Sequence, residues 1–128
     1  MKLVRRLIKE FSQRLFYKDR WFLLYSFEQD ISDNLNEFKK IMPPKDKFWA
    51  DPHLIQVDKR YYIFIEEFLH AKNKGHISVI ELDETGNWKS PVKVLEKDYH
   101  LSYPFIFKWN DKFYMVPESG ANKTIDLY

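Results

Sequence analysis

"DPHLIQVDKRYYIFIEE" (51–67) can be laid over "YPFIFKWNDKFYMVPES" (103–119) with no gap, at an offset of 52 residues. Pro52 meets Pro104, Leu54-Ile55 meets Ile106-Phe107, Tyr61-Tyr62 meets Phe113-Tyr114, and Glu66 meets Glu118. Each copy reads as an apolar strand, a polar turn and an aromatic strand: a hairpin with acidic residues at its ends. A hairpin repeated at a fixed interval marks a repeat architecture, in which each unit buries its faces against its neighbours.

The pattern extends outward from this pair. "WFLLYSF" followed by "EFKKIM" resembles "HISVIEL" followed by "PVKVLE", and "IEL" (80–82) resembles "IDL" (125–127). Short strands are expected at 21–27, 37–42, 52–57, 60–68, 76–82, 91–96, 104–109, 112–117 and 123–128. The turns between them are Asp58-Lys59, Asn110-Asp111 and the Gly-containing "DETGN" at 83–87. A four-strand unit recurring every 52 or so residues has the size of a propeller blade. The expected fold is all-β: a partial five-bladed β-propeller of about two blades of four antiparallel strands, preceded by an amphipathic N-terminal helix. A nine-strand sandwich is the structural alternative. Residues 1–20 form the basic helix or linker, 51–97 a complete blade and 103–128 the start of the next, within a module spanning 21–128. Two blades leave apolar faces uncovered, so the remaining blades or a partner domain of a longer protein are the expected partners.

The helix is read from Leu3, Val4, Leu7, Ile8, Phe11, Leu15 and Phe16, which recur at three- and four-residue spacing. The segment 1–20 carries seven basic and two acidic residues, a balance of +5, leaving −3 for the other residues, with 14 basic and 17 acidic. A peripheral membrane contact through residues 1–20 is compatible with that charge. The mildly acidic body argues against a nucleic-acid partner.

Composition excludes several chemistries. There are no cysteines, which removes thiolate ligands and disulfides and fits a reducing, cytoplasmic setting. Three glycines leave no glycine-rich phosphate loop, and no apolar run approaches a membrane span. His53, His70, His76 and His100 lack helical metal-ligand spacing, so neither metal nor cofactor is expected. The aromatic content of 18% suits half-buried strands and faces that stack on sugars.

In a propeller the start of strand one and the end of strand two share one rim. That geometry gathers Asp51, His53, Glu66 or Glu67, Tyr103 and Glu118 around one mouth. Period-two alternation turns Glu66 and Glu67 to opposite faces, so one of them points inward. Carboxyls beside aromatic rings are the residue types of sugar chemistry, in which one acid protonates a leaving oxygen and another activates water or attacks. Asp before Pro is also a common strand-entry residue, and a strand-end Glu is often only solvated.

The stretches "FWADPHLIQVDKRYYIFIEEF", "KGHISVIELDETGNW" and "YHLSYPFIFKWNDKFYMVPESGANKTIDLY" together resemble the N-terminal domain of plant glucosamine inositolphosphorylceramide transferases and their bacterial relatives, over roughly residues 17–128. That resemblance implies a propeller similar to those of arabinanase- and xylosidase-type glycoside hydrolases. It also implies association with glycosyltransferase-like or formyltransferase-like domains in surface-polysaccharide synthesis. In those hydrolases an Asp-Pro aspartate is the general base, a place taken here by Asp51-Pro52. The second Asp-Pro of the pattern is replaced by Tyr103-Pro104, and the acid from a later blade has no counterpart in these residues. The implied function is a carbohydrate-recognising or carbohydrate-processing module in glycolipid or surface-polysaccharide biosynthesis. Asp51 is the candidate base, and His53, Glu66, Glu67, Tyr103 and Glu118 are candidate binders of a carbohydrate ligand. The alternatives are a non-catalytic module that positions a partner domain, and a glycoside hydrolase.

Overall fold

The computed structural model describes residues 20–28 and 33–128, and these are all-β with eight strands. In chain order they are β1 (Leu23–Tyr25), β2 (Lys39–Ile41), β3 (Lys47–Val57), β4 (Arg60–Leu69), β5 (Lys74–Asp83), β6 (Val92–Leu95), β7 (Ser102–Trp109) and β8 (Lys112–Glu118). β3-β4-β5-β6 form one antiparallel four-stranded sheet, and β1-β2 and β7-β8 form two-stranded antiparallel ribbons.

The ribbons pack on opposite faces of the central sheet. On one face Leu23 and Ile41 of the β1-β2 ribbon join Trp49, Ile63, Ile65, Ile80 and Leu82 in one apolar cluster. On the other, Ile106 and Met115 of the β7-β8 ribbon join Ile77 and Leu101, with Ile55 and Phe64 alongside. Odd-numbered residues of β4 face the first cluster and Phe64 faces the second, as strand alternation requires. Trp49, Ile65, Ile77, Ile80 and Leu101 are among the fully buried side chains. Removing each from water stabilises the stack by roughly 1.5–3 kcal/mol before ordering costs.

The 52-residue repeat is structural. Ala50 pairs with Glu66 and Ser102 with Glu118; His53 pairs with Phe64 and Phe105 with Val116; Val57 pairs with Arg60 and Trp109 with Lys112. Both hairpins break register at the same place, between Ala50 and His53 and between Ser102 and Phe105. The links between sheets also repeat. Trp49 N–H donates to the Trp21 carbonyl at 3.3 Å, and Leu101 N–H donates to the Gly75 carbonyl at 3.1 Å. At the hairpin tips Asp58, Asn110 and Asp111 take left-handed φ of 53°, 46° and 59°. Asn and Asp tolerate that conformation, which replaces the Asn-Gly that tight hairpins favour. In the "DETGN" turn Gly86 has φ +89°, and a Cβ there would meet Tyr25 Oη at 2.8 Å.

Several expectations need correction. The described residues do not show the expected partial propeller of about two four-stranded blades. Among the described residues there is no α-helix, only the 3-10 turn Leu35–Glu37, and one four-stranded sheet stands between two ribbons. The helix read at 1–20 lies outside the described residues except for Arg20. A repeat interval establishes that a unit recurs; it does not establish how many units there are or that they close radially.

β3 begins at Lys47, five residues before the expected 52, and β7 at Ser102. Proline was taken as a strand opener, but Pro52 and Pro104 sit at bulges through which the strand continues. Residues 123–128 are not a strand. Tyr128 alone exchanges backbone hydrogen bonds with Met115, at 2.9 Å each way. Since Ile63 pairs with Ile80 and Met115 is the counterpart of Ile63, Tyr128 stands where Ile80 stands. The likeness of "IEL" to "IDL" is therefore not an equivalence of position.

Candidate functional site

The two bulges aim the residues that matter. Asp51 and Tyr103 occupy the same point of their hairpins and have φ of 49° and 45°. Asp tolerates the left-handed region, whereas a bulky aromatic there is held by its surroundings at a cost of about 1–3 kcal/mol. A bulge adds one residue to one strand and redirects a side chain, here toward the strand-end glutamates.

Glu66 and Glu67 are adjacent on β4, and each is 6% exposed. They face opposite sides. Glu67 lies on the β1-β2 side and is surrounded by donors. Lys47 Nζ lies 2.8 Å from Oε1, Trp49 Nε1 donates to Oε1 at 3.5 Å, Ser78 Oγ donates to Oε2 at 2.7 Å, and His76 Nε2 lies 3.1 Å from Oε2. Burial pushes its pKa up, but Lys47, Ser78 and Trp49 outweigh burial and hold it below the usual carboxylate range. Burial also lowers the pKa of His76, whose Nδ1 is buried without a partner. The ring is therefore a neutral donor through Nε2.

Glu66 has no such set of donors. Burial, a side-chain hydrogen bond with Asp51, and the charges of Asp51 and Glu118 push its pKa up to about 8. Glu66 therefore keeps its proton at neutral pH, on the same cavity as Asp51. His100 Nε2 lies 3.4 Å from Glu66 Oε1. Its Nδ1 accepts the Gly75 N–H at 2.9 Å, so the ring proton is on Nε2, directed at Glu66. Gly75 is required here, because a Cβ would sit 2.7 Å from both Glu66 Oε1 and the Leu101 carbonyl oxygen. Ser102 Oγ donates to Glu118 at 3.1 Å, fixing the outer carboxylate.

Asp51, Glu66 and Tyr103 line one open cavity of about 470 Å³, whose other walls include Trp21, Phe22 and Phe48. This volume falls in the usual range for small-ligand sites. Of the residues singled out in the sequence, the structure thus brings together Asp51, Glu66 and Tyr103, with Glu118 close enough to act on Glu66. Glu67 is on the other face of the sheet. His53 packs edge-on against Phe105, with ring centroids 5.4 Å apart, and does not line this cavity. Sequence reasoning placed His100 near the mouth without a role and did not single out Gly75 or Ser102. Both now hold a glutamate in place. Their signal was positional: Ser102 is the repeat counterpart of Ala50, and Gly75 immediately precedes the buried "HIS" of β5. Among the described residues no group of three or more His, Asp or Glu side chains is arranged to hold a metal ion.

Chemically, the pair offers an acidic O–H and an acceptor side by side, bounded by aromatic rings. That arrangement can bind hydroxyl groups and exchange a proton with them.

The family described as "Glucosamine inositolphosphorylceramide transferase 1, N-terminal" matches residues 38–128. The chain is 35% identical over 82 residues to Glucosamine inositolphosphorylceramide transferase 1 of Oryza sativa subsp. indica, and 33% identical over 82 residues to the Arabidopsis thaliana protein of the same name. Each match covers 63% of this chain and 11% of the relative, so the chain spans about a tenth of the curated relatives' length. No solved structure matches it.

Proposed function

The chain belongs to the glucosamine inositolphosphorylceramide transferase 1 N-terminal family, and from that premise we propose that it is the carbohydrate-recognising part of a protein that glycosylates a glycolipid. The observation that carries this reading is the placement of Asp51 and the buried Glu66 together on a cavity walled by Trp21, Phe22, Phe48 and Tyr103. Aromatic rings cover the apolar faces of a sugar, while the pair supplies one donor and one acceptor to its hydroxyls. Asp51 accepts from a sugar hydroxyl, and Glu66 donates. Glu118 and Tyr103 border the same mouth.

Asp51→Asn in the full-length protein is the test. It keeps the shape of the site but replaces an anionic acceptor. The expected result is a loss of about tenfold or more in affinity for glucosamine, with a parallel loss of glucosamine transfer to inositolphosphorylceramide. Unchanged affinity and unchanged transfer would favour the rival reading, in which the module only positions a partner domain. Phe105 and Ile125, which are 56% and 87% exposed, would then serve as part of the docking surface.

A further inference from the structure

A second cavity adjoins the first. It is open, measures about 440 Å³ and lies at the end of the β7-β8 hairpin, lined by residues including Tyr103, Pro117, Glu118, Gly120, Lys123 and Ile125. Tyr103 also lines the first cavity, so its ring is a wall common to both. This side chain is 63% exposed, and its backbone is held at φ 45°, a conformation costly for a bulky residue. The bulge that presents Asp51 into the first cavity thus presents a ring at the boundary of the second.

The two cavities differ in chemistry. The first has Asp51 and Glu66 among five aromatic residues, Trp21, Phe22, Phe48, Trp49 and Tyr103. The second has one exposed carboxylate, Glu118, an apolar floor of Val116 and Pro117, and the hydroxyl-bearing Ser119 and Thr124. One accepts a ring through paired carboxyls; the other accepts a ring through looser polar contacts over an apolar surface.

From this we infer that the module holds a saccharide of at least two rings, one ring in each cavity, with Tyr103 stacked at the linkage between them. The inference rests on the saccharide reading above and adds the length of the ligand to it. The two cavities share only Tyr103 among their lining residues, so a ligand that fills both passes over that ring and is longer than a single sugar. Two subsites joined through one ligand also act at high effective concentration, so the second ring adds affinity without a second loss of translational freedom.

Gly120 gives a clean way to block the second cavity. A Cβ there meets nothing within 4 Å, so the fold does not oppose a side chain at this lining position. The experiment uses the full-length protein as wild type, Gly120→Trp, Tyr103→Ala and Asp51→Asn. Binding is measured for glucosamine and its β-1,4-linked dimer and trimer, and for glucose with its α-1,4- and β-1,4-linked dimers and trimers. In at least one series the dimer should bind wild type about tenfold tighter than the monomer. Gly120→Trp and Tyr103→Ala should reduce the dimer to about the monomer's affinity. Gly120→Trp should leave the monomer's affinity as it was, whereas Asp51→Asn should weaken both ligands. Monomer binding with no gain for any dimer overturns the two-ring inference alone, as does a dimer advantage that survives Gly120→Trp. Failure of every sugar to bind wild type overturns the saccharide reading itself and this inference with it.

Discussion

Glu66 and Glu67 are consecutive residues of one strand, equally buried, and opposite in ionisation. Glu67 meets a lysine, a tryptophan, a serine and a histidine and holds its charge. Glu66 meets another carboxyl, stands close to a third, and keeps its proton up to about pH 8. Burial penalises the anion in both places, so the neighbours decide the outcome. One carboxylate is a fully satisfied structural anchor. The other is a proton-bearing group beside an open cavity, which is the kind of placement that accompanies function.

Substitutions can break this contrast, and the largest effect is expected at Glu67. Glu67→Gln removes the anion and leaves Lys47 half-buried without its partner. A loss of about 4 kcal/mol in unfolding free energy is expected, measured by urea denaturation at pH 7. A change under 1 kcal/mol would mean that the network around Glu67 contributes little.

Gly75→Ala comes next. The added methyl collides with Glu66 Oε1 and with a backbone carbonyl that cannot swing aside. The expected loss is about 2–3 kcal/mol, accompanied by a change in the ionisation of Glu66 visible in carboxyl NMR titration. An unperturbed titration would show that Gly75 does not control the position of Glu66.

The smallest effect in free energy, with the most telling sign, is expected at Glu66. Its folded pKa is raised from 4.5 to about 8, so the folded state binds a proton that the unfolded chain has released. Stability therefore falls as pH rises between those values and levels off above the upper one. Glu66→Gln cannot lose a proton. It should differ little from wild type at pH 5 and gain on it steadily as pH rises to 7, with the slope in this window removed. Glu67 contributes with the opposite sign: the stability it supplies is present above the ordinary carboxylate pKa and is lost as pH falls through its lower folded value. A melting-temperature series from pH 4 to 9 on both Gln variants separates the two slopes. A Glu66→Gln slope identical to wild type would contradict the proton-bearing assignment.

Much of this was legible in the sequence, and each part for a different physical reason. Strand pairing has a period of two, so placing Glu66 and Glu67 on opposite faces required only their adjacency. The ungapped match between 51–67 and 103–119 carried the register and both tips, since equal spacing between turns enforces equal pairing, whereas the bulges at Pro52 and Pro104 are visible only in the structure. What failed was what a linear pattern does not contain. The "IDL" likeness pointed to Ile125, whereas the hydrogen bonds select Tyr128, because the loop after β8 takes a path that residue similarity cannot report. The propeller expectation went beyond the repeat, which shows a unit stacking on its neighbours and no more.

The sequence by itself determined an all-β repeat, the hairpin registers, and the positions of Asp51, Glu66, Tyr103 and Glu118 at corresponding points of the two hairpins. Only the tertiary structure decided which glutamate is the acid. That depends on Lys47, His76 and Ser78 reaching Glu67, and on Asp51, Gly75, His100 and Glu118 surrounding Glu66. These residues come from strands and loops up to 52 positions away. The electrostatic environment of a buried carboxyl is set by distance in space, and a sequence read along the chain does not carry that distance.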